Sequence, residues 1–324
     1  MEIQPVTEKL ISEWLKTRDA FSHKGDYGRA SLIAGSKGMM GAALLSARAC
    51  MRSGVGLLTV HVPECGYSIM QLGIPEAKCQ VDEHETHHTD IEIPIGTEVV
   101  GIGPGIGQHV ETQQAMHQLL LEHPNIPMVT DADALNILSE NPQWLALLSK
   151  GSIVTPHPGE MKRLALEPQE IAEKYQVVVV LKGHHTRIYV PNGQNVKVYE
   201  NTLHGNAGMA VGGSGDVLTG IILALMAQHY TAEQAAVVGV WIHALAADIS
   251  LSDGNSEESL LPSDIIAHLG AASTSPDLGM SKNPEKYVWH FEVPPMLLNP
   301  VFLLSMLTLM IIGDYGLGRI LGKR

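Results

Sequence analysis

The chain has little cysteine, and the number and spacing of its cysteines argue against a disulfide framework. Its three cysteines, Cys50, Cys65 and Cys79, are an odd number and lack the close spacing of a metal-binding motif. That usage favours a reducing compartment. The first residues, 1–19, are polar and acidic and lack the apolar core of a signal peptide. These absences together predict a cytoplasmic protein.

Positive charge and aromatic side chains are also scarce. The 324 residues include 21 Lys and Arg against 34 Asp and Glu, which gives a formal net charge of −13. This balance argues against a nucleic-acid partner, because phosphate backbones are bound by clustered Lys and Arg. A hydrophobic content of 45% with 17% charged residues is typical of a globular protein. An anionic small molecule remains a possible ligand, since local loops rather than net charge would hold it.

Two familiar nucleotide-binding motifs are missing. The stretch GIGPGIG at 101–107 follows a predicted strand and precedes a predicted helix, but neither reading frame gives G-x-G-x-x-G. The sixth position is Ile106 in one frame and Gln108 in the other. The chain also lacks the P-loop pattern G-x-x-x-x-G-K-[ST]. What remains is a Gly-Pro-rich strand end, which is either a plain turn or part of a ligand crevice.

What the sequence does contain is a regular alternation of β-branched runs and helical runs. Such alternation predicts an α/β fold with a mostly parallel sheet covered on both faces. A hairpin is predicted at 186–200, because Pro-Asn-Gly separates two alternating segments. The strands are predicted at 29–35, 56–63, 97–103 and 177–183, the helices at 39–54, 110–123, 216–229 and 231–249, and a strand followed by a helix start at both 126–135 and 152–165.

The composition changes after the α/β domain, which we place at 1–270. Residues 271–292 form a polar linker, and 293–324 form an apolar tail of unknown role. Within the tail, 293–313 carries no charge and approaches the length of a bilayer span. Three prolines and Asn299 weaken the prediction of a continuous helix. The tail therefore either associates with a membrane, docks on protein as an apolar helix, or is an unselected extension.

An acidic, histidine-rich segment, DEHETHHTD, occupies 82–90. Its histidines, His84, His87 and His88, suggest a metal site. Short tracts of this kind are compositional signals only. We therefore predict a solvated loop.

Six glycines surround one carboxylate, Asp216, in GNAGMAVGGSGDVLTG at 205–220. Clustered glycine indicates positive φ angles or close approach of the backbone to a ligand. An apolar helix begins here, and its unpaired N–H groups and dipole favour an anion and the charged form of Asp216. We expect Asp216 to act as a general base on a hydroxyl beside a nucleotide phosphate, with the amides of 212–215 stabilising the transferred group. The alternative is that Asp216 only caps the helix.

Two further loops follow predicted strands. In TPHPGE at 155–160, Thr155 or His157 would cap the next helix, His157 could contact a ligand, and Glu160 could hold a metal through water. In LKGHHT, Lys182 is placed to meet a phosphate as a point charge. The alternative for Lys182 is an ordinary solvated lysine.

Six motifs, taken in order, resemble those of the NAD(P)H-hydrate dehydratase family of the ribokinase-like superfamily, over residues 5–270. They are HKGDYGRASLIAGSKGMMGAALLSARACMRSGVGLLTV, GIGPGIG, DADALNIL, TPHPGEMKRL, LKGHHT and GNAGMAVGGSGDVLTGIILAL. The resemblance implies a three-layer α/β/α fold with a mostly parallel central sheet. It implies that ADP or ATP, with Mg²⁺, phosphorylates the ring hydroxyl of the S epimer of hydrated NADH or NADPH, and that elimination of phosphate restores the nicotinamide.

The residue roles follow from the resemblance. Asp216 would be the catalytic base, and Ala42, Gly105, His157 and Asp216 would contact the hydrated dinucleotide. Glu160 resembles the acidic residue near Mg²⁺ in ribokinase-like enzymes and would act through water, although His157 stands where many of those kinases have Asn. The expected contacts with the adenine nucleotide are Lys182, Gly183, His184, His185, Thr186 and Gly215.

The resemblance also implies partners. Many bacterial relatives carry an N-terminal epimerase domain, for which this chain leaves no room, so we expect a separate epimerase. From the same resemblance we expect a homo-oligomer, such as a tetramer. We also expect a preference for ADP over ATP. Two alternatives stay open: a ribokinase-like kinase that releases a phosphorylated small-molecule alcohol, and a nucleotide-binding sensor without catalysis.

Overall fold

The structure is a computed structural model that describes residues 2–274. Within that range the chain forms ten strands and ten α-helices. The strands are β1 (Ile3–Pro5), β2 (Arg29–Ile33), β3 (Leu57–Val62), β4 (Lys78–Val81), β5 (Val99–Ile102), β6 (Met128–Thr130), β7 (Ile153–Val154), β8 (Val178–Leu181), β9 (Thr186–Asn192) and β10 (Asn195–Asn201). The helices are α1 (Glu8–Trp14), α2 (Met40–Arg52), α3 (Tyr67–Gly73), α4 (Val110–Glu122), α5 (Ala132–Glu140), α6 (Pro158–Leu164), α7 (Pro168–Tyr175), α8 (Ser214–Ala227), α9 (Ala232–Ser252) and α10 (Pro262–Thr274).

All ten strands join in one sheet, in the order β1-β10-β9-β8-β7-β6-β5-β2-β3-β4. In the part of the sheet that runs β8-β7-β6-β5-β2-β3-β4, all neighbouring strands are parallel. Strand β9 is antiparallel to both β8 and β10. The predicted mostly parallel sheet and the predicted hairpin at 186–200 are confirmed. The strand order reverses between β5 and β2, and open α/β sheets bind ligands in the crevice outside the carboxyl ends of such strands.

Helices cover both faces of the sheet, as the three-layer prediction requires. Successive residues of a strand point to opposite faces. Val99 accordingly belongs to the apolar core on the side of α2, α8, α9 and α10, whereas Val100 belongs to the core on the side of α4, α5, α6 and α7. In the first of these layers α2 and α8 touch closely. A Cβ atom on Gly220 of α8 would lie 2.1 Å from the carbonyl oxygen of Ser46 in α2. Glycine at this position therefore lets the two backbones meet.

Helix α9 is a core helix despite its composition. Among the described residues it is the one helix with the length and apolarity to cross a membrane, with a mean hydropathy of 1.6 over its best window. However, 78% of that window is buried inside the protein. The apolar surface of α9 is therefore covered by α8, α10 and the sheet.

The structure adds elements that the alternation pattern did not predict. β1 pairs in parallel with β10, and Ile3 lies opposite Val198. A local sequence pattern cannot predict a pairing between two segments so far apart in the chain. After the two predicted closing helices, α10 follows and continues to Thr274, beyond the predicted boundary at residue 270. The rest of the predicted linker and the whole predicted tail lie outside the described residues.

Candidate active site

Polar side chains gather where neighbouring parallel strands end, around the first turn of α8. Asp131 follows β6, the segment from Thr155 to His157 follows β7, and Lys182 follows β8. The carboxyl ends of parallel strands meet at the same edge of a sheet. This edge therefore collects side chains that are distant in the sequence, and Asp216 faces it from α8.

A buried ion pair lies at the centre of this group. The Nζ atom of Lys182 is 2.6 Å from Oδ1 of Asp131, whose side chain is 1% exposed. The hydroxyl of Thr219 in α8 donates to the other carboxylate oxygen at 2.7 Å. A Cβ atom on Gly215 would lie 3.2 Å from Lys182 Nζ, which places the pair against the first turn of α8. The alternative of a solvated Lys182 is thus wrong, because its side chain is only 18% exposed.

The backbone that carries Asp131 is strained. Ala132, the first residue of α5, has a φ of 50° in the left-handed region, which is costly for a residue with a Cβ atom. Gly103, after β5, has a φ of 130°, and a Cβ atom there would lie 1.8 Å from the carbonyl oxygen of Asp131. Local strain of this kind persists where the surroundings impose it and is common at functional sites. Here it coincides with the carboxylate that binds Lys182.

Asp216 is a weak acid in this setting. Burial raises its pKa to about 7, the negative charge of Asp131 adds to the rise, and Lys182 opposes it. The net shift therefore runs against the prediction that Asp216 is kept charged, because desolvation and neighbouring carboxylates raise its pKa. The capping alternative is also wrong, since Gly213 is the N-cap and Asp216 is the third residue of α8. Within residues 2–274 no hydrogen bond reaches its carboxylate.

His157 and Glu160 cap each other at the start of α6. The Nδ1 atom of His157 accepts from the N–H groups of Gly159 at 2.9 Å and Glu160 at 3.3 Å. In return, Oε2 of Glu160 accepts from the N–H of His157 at 2.7 Å. The prediction that His157 caps this helix is confirmed, whereas the hydroxyl of Thr155 donates to the Thr130 carbonyl instead. Ligand contact by His157 stays a prediction.

Glu160 is buried and faces the same lysine as Asp131. Its Oε2 atom is 3.8 Å from Lys182 Nζ, and its side chain is 6% exposed. Burial raises the pKa of Glu160, and the charge of Lys182 partly offsets that rise. Asp131, Glu160 and Asp216 therefore place three carboxyl groups around one ammonium group. A divalent cation would balance the excess negative charge.

Ala42 and Gly105 lie side by side at the reversal of strand order. Gly105 follows β5 with a φ of 65°, and a Cβ atom there would lie 3.1 Å from the Cβ of Ala42 and 2.9 Å from the Met39 carbonyl oxygen. The hydroxyl of Ser36, after β2, donates to the Gly105 carbonyl at 2.8 Å. The structure thus brings together, at the expected crevice, two residues that the resemblance assigns to one ligand.

The segment predicted to contact the nucleotide begins beside this site and runs outward. Lys182 and Gly215 are adjacent. Gly183, His184 and His185 are exposed. The hydroxyl of Thr186 donates to the Gly183 carbonyl at 3.2 Å and closes the turn. Nucleotide contact by these residues stays a prediction.

An aspartate of α9, which the sequence analysis missed, holds the glycine-rich loop before α8. Asp248 accepts hydrogen bonds from the Gly205 N–H at 3.0 Å and the Asn206 amide at 2.9 Å, and it pairs with His204. Burial acts to raise the pKa of Asp248, but the hydrogen bonds outweigh it and lower that pKa. Asp131 was missed as well, although an acidic residue directly after a buried strand, as in MVTDADAL, is a usable signal.

The histidine-rich loop 82–90 is solvated only in part, since residues 83–85 and 90 are exposed and the others are buried or half-buried. Asp82 and His88 are buried, and Nε2 of His88 donates to the Gly35 carbonyl at 2.9 Å. Burial lowers the pKa of His88 to about 3, so its ring is neutral. Its Nδ1 lies 3.1 Å from Nδ1 of His61 in β3. The loop therefore packs against the end of β2, next to the crevice.

Comparisons with known proteins identify the family to which the chain belongs. The profile of the carbohydrate-kinase family described as NAD(P)H-hydrate dehydratase matches residues 30–269. The bifunctional NAD(P)H-hydrate repair enzyme Nnr of Vibrio cholerae is 38% identical over 273 residues, which cover 81% of this chain and 52% of that protein. The chain thus spans about half the length of the bifunctional relatives that it matches. The ADP-dependent (S)-NAD(P)H-hydrate dehydratase of Listeria monocytogenes is 33% identical over 76% of this chain and 89% of its own.

Solved structures show the same architecture. The ADP/ATP-dependent NAD(P)H-hydrate dehydratase of Bacillus subtilis, co-crystallised with ATP and Mg²⁺, superposes with a TM-score of 0.71 at 31% identity. That match covers 84% of this chain and 98% of the B. subtilis chain. A ribokinase-like superfamily protein of Enterococcus faecalis gives a TM-score of 0.73 at 27% identity, over 85% of this chain and 96% of its own.

Proposed function

This chain belongs to the NAD(P)H-hydrate dehydratase family, as its six motifs predicted, and we propose that it converts the S epimer of hydrated NADH or NADPH back to the dinucleotide with ADP or ATP as phosphoryl donor. The observation that carries the proposal is the buried group at the start of α8. There Asp216, with a pKa of about 7, faces the Lys182–Asp131 ion pair. A general base works best when its pKa is near the working pH.

The first step would be phosphoryl transfer. The ring hydroxyl of the hydrate attacks the terminal phosphorus of the nucleotide, and its proton passes to the Asp216 carboxylate. The bond between that phosphorus and the bridging oxygen breaks, so ADP leaves as AMP, or ATP as ADP. Unpaired N–H groups in the first turn of α8 and the ammonium of Lys182 would stabilise the charge on the transferred group.

The second step would be elimination. The bond between the ring carbon and the phosphate oxygen breaks, with its electron pair leaving on phosphate, and the neighbouring ring carbon gives up a proton, which the departing phosphate takes up. The ring double bond is thereby restored. Hydrate and ADP thus give the dinucleotide, AMP and phosphate. The same site serves both steps, because the phosphate that forms is already held beside Lys182.

We expect each substrate to have a separate place. The hydrated dinucleotide would lie in the crevice where Ala42 meets Gly105, with His157 facing it from the end of β7. The adenine nucleotide would lie along 182–186 and Gly215. The two substrates would then meet at Asp216, where the hydroxyl and the terminal phosphate must come together.

The carboxylates at this site fit a magnesium ion. Buried Glu160 would hold Mg²⁺ through water, since carboxylate oxygens and water are the ligands that this ion prefers. When bound, the ion neutralises charge on the nucleotide phosphates. The homo-oligomer, the separate epimerase and the cytoplasmic location stay predictions.

The test is recovery of NADH absorbance when purified protein is mixed with hydrated NADH, Mg²⁺ and either ADP or ATP. We expect recovery that requires nucleotide and falls by about a thousandfold in Asp216→Asn, since that change removes the base. Asp19→Asn, at an exposed aspartate, is the matched control and should keep full activity. Folded wild-type protein that binds nucleotide but recovers no NADH would refute the proposal. A stable phosphorylated product would instead favour the alcohol kinase.

A further inference from the structure

A second cluster of ionisable side chains lies where loop 82–90 packs against the start of α4. It consists of His87 from the loop, His109 at the N-cap of α4, and Glu111 in the first turn. We propose that these three residues bind a divalent transition-metal ion of the Zn²⁺ type. This inference is independent of the proposed dehydratase function.

The spacing of the donor atoms suits a shared ion. Nε2 of His87 is 3.5 Å from Oε2 of Glu111, and Nδ1 of His109 is 3.9 Å from the same oxygen. All three donor atoms lie within 4.8 Å of one another. Zn²⁺ binds nitrogen and oxygen at about 2.0–2.2 Å in a tetrahedron, which sets its ligands about 3–4 Å apart. The pairs with Glu111 meet this requirement.

His87 supplies an independent sign of a missing ligand. Its side chain is 8% exposed. Among the described residues, its Nε2 atom is buried without a hydrogen-bond partner. A buried polar atom left unpaired costs about 1–3 kcal/mol. A metal ion at this position would satisfy that atom.

The other nitrogen of His87 is already oriented. Nδ1 lies 3.0 Å from the hydroxyl oxygen of Thr86. When Nδ1–H donates to this oxygen, Nε2 presents its lone pair towards Glu111. Metal-binding histidines commonly have such a partner on the nitrogen away from the metal, which fixes the ring and its tautomer.

The cluster is also open to solvent on one side. The side chains of His109 and Glu111 are 64% and 57% exposed. The His109 ring lies parallel to the His87 ring, with 4.1 Å between centroids, so it must turn to aim Nδ1 at the ion. Because it is exposed, it is free to do so. The open side gives the ion an entry path and leaves a coordination position for water.

The neighbouring buried group, Asp82, His61 and His88, serves as support. Asp82 already accepts four hydrogen bonds, from three backbone N–H groups and the Thr89 hydroxyl. His61 and His88 bond to each other, and His88 bonds to the Gly35 carbonyl. These contacts fix the loop that carries His87. A binding residue held by such packing is pre-organised for its ligand.

The donor set selects the kind of metal. Two imidazoles and one carboxylate suit Zn²⁺, Co²⁺, Ni²⁺ or Cu²⁺, whereas Mg²⁺ prefers oxygen ligands only. Bound at this position, the ion would tie the loop to α4. It would also stabilise the folded state by mass action.

The test is equilibrium dialysis of the full chain against Zn²⁺ in the presence of excess Mg²⁺, with thermal unfolding as a second readout. We expect a tight Zn²⁺ site in the wild type and a rise in Tm. Affinity should fall by more than about tenfold in His109→Ala and in Glu111→Gln, since each loses a ligand. Both side chains are exposed, so both variants should fold, which an unchanged Tm without metal would verify.

Matched controls come from the other end of the same helix. His123→Ala and Glu122→Gln should bind Zn²⁺ as the wild type does, because neither residue reaches the cluster. Wild-type protein without a tight Zn²⁺ site would overturn the proposal. Equal binding by His109→Ala, Glu111→Gln and the wild type would overturn it too, because the ion would then lie at another of the 16 histidines. Neither result bears on recovery of NADH, which tests the dehydratase proposal.

Discussion

The pKa values of two aspartates at the carboxyl edge of the sheet are shifted in opposite directions. For Asp82, in loop 82–90, burial alone would raise the pKa, but hydrogen bonds outweigh it and hold the pKa below its usual range. For Asp216, in the first turn of α8, burial and the charge of Asp131 raise the pKa to about 7. Asp82 accepts four hydrogen bonds, whereas Asp216 accepts none from residues 2–274.

The difference distinguishes a carboxylate suited to holding a loop from one suited to accepting a proton. Donors that surround Asp82 stabilise its charge and leave it no capacity to accept a proton near neutral pH. Asp216 lacks such donors, so its charged form is held at a cost and its proton affinity is high. Both groups are withdrawn from water, Asp82 fully and Asp216 in part. The number of donors therefore decides which aspartate maintains a loop and which one can act as a base.

The largest expected contrast is in folding stability. Asp82→Asn should lower the free energy of unfolding by about 2–4 kcal/mol, because an amide cannot accept all four hydrogen bonds and leaves buried N–H groups unpaired. Asp216→Asn should raise it by about 1–3 kcal/mol at pH 8, because the buried charge is removed. Urea unfolding at pH 8 measures both values.

The pH dependence of the Asp216→Asn effect supplies the control. Below about pH 4 Asp216 is protonated in both the folded and the unfolded chain, so the variant gains nothing. The gain grows as pH rises from about 4 towards 7, where the folded protein still holds the proton that the unfolded chain has lost. An Asp216→Asn variant less stable than the wild type at pH 8 would contradict the comparison.

A smaller effect is expected in the pH profile of activity. Because only ionised Asp216 can accept the hydroxyl proton, kcat/KM for the hydrated dinucleotide should fall about tenfold per pH unit below about pH 7 and level off above it. Nucleotide affinity measured over the same range is the control for ionisation of the phosphates. A flat profile from pH 5 to pH 8 would mean that Asp216 ionises like an ordinary aspartate.

The smallest expected effect comes from two buried threonines. The Thr219 hydroxyl donates to the Asp131 carboxylate at 2.7 Å, and the Thr112 hydroxyl donates to the His88 carbonyl at 2.9 Å. Replacement of either by Val should cost about 1 kcal/mol of stability. Only Thr219→Val should also lower kcat, by up to about tenfold, since Asp131 then positions Lys182 less firmly. Equal kcat in both variants would refute this role for Thr219.

The fold was largely predictable because its signals are local. Buried parallel strands such as β8 read as β-branched runs, and the alternation with helices fixes the class. β1 was missed because three residues carry no pattern and their partner strand lies at the other end of the domain. α10 was missed because only Ile265, Ile266 and Leu269 mark its apolar face, and its last turn consists of small and polar residues.

The candidate site was predictable only in part. Motif resemblance indicated Asp216, Lys182 and Glu160, and the structure brings these residues together. The motif resemblance could not indicate that Lys182 pairs with Asp131, since that contact joins the ends of two strands that are distant in the sequence. The dipole argument for Asp216 failed because the sequence does not show how many donors surround a carboxylate. His87 was read as solvated because its neighbours His109 and Glu111 come from another element.

The burial of α9 also bears on how the protein is made in the cell. The chain leaves the ribosome from its N-terminus, so all ten strands and α2 have been synthesised before α8 and α9 emerge. The helix with the composition of a membrane span therefore meets a sheet that is already available to cover it. Nascent chains aggregate through transiently exposed apolar surface. A circular permutant that began at α8 would present α8 and α9 before the sheet and would depend far more on chaperones.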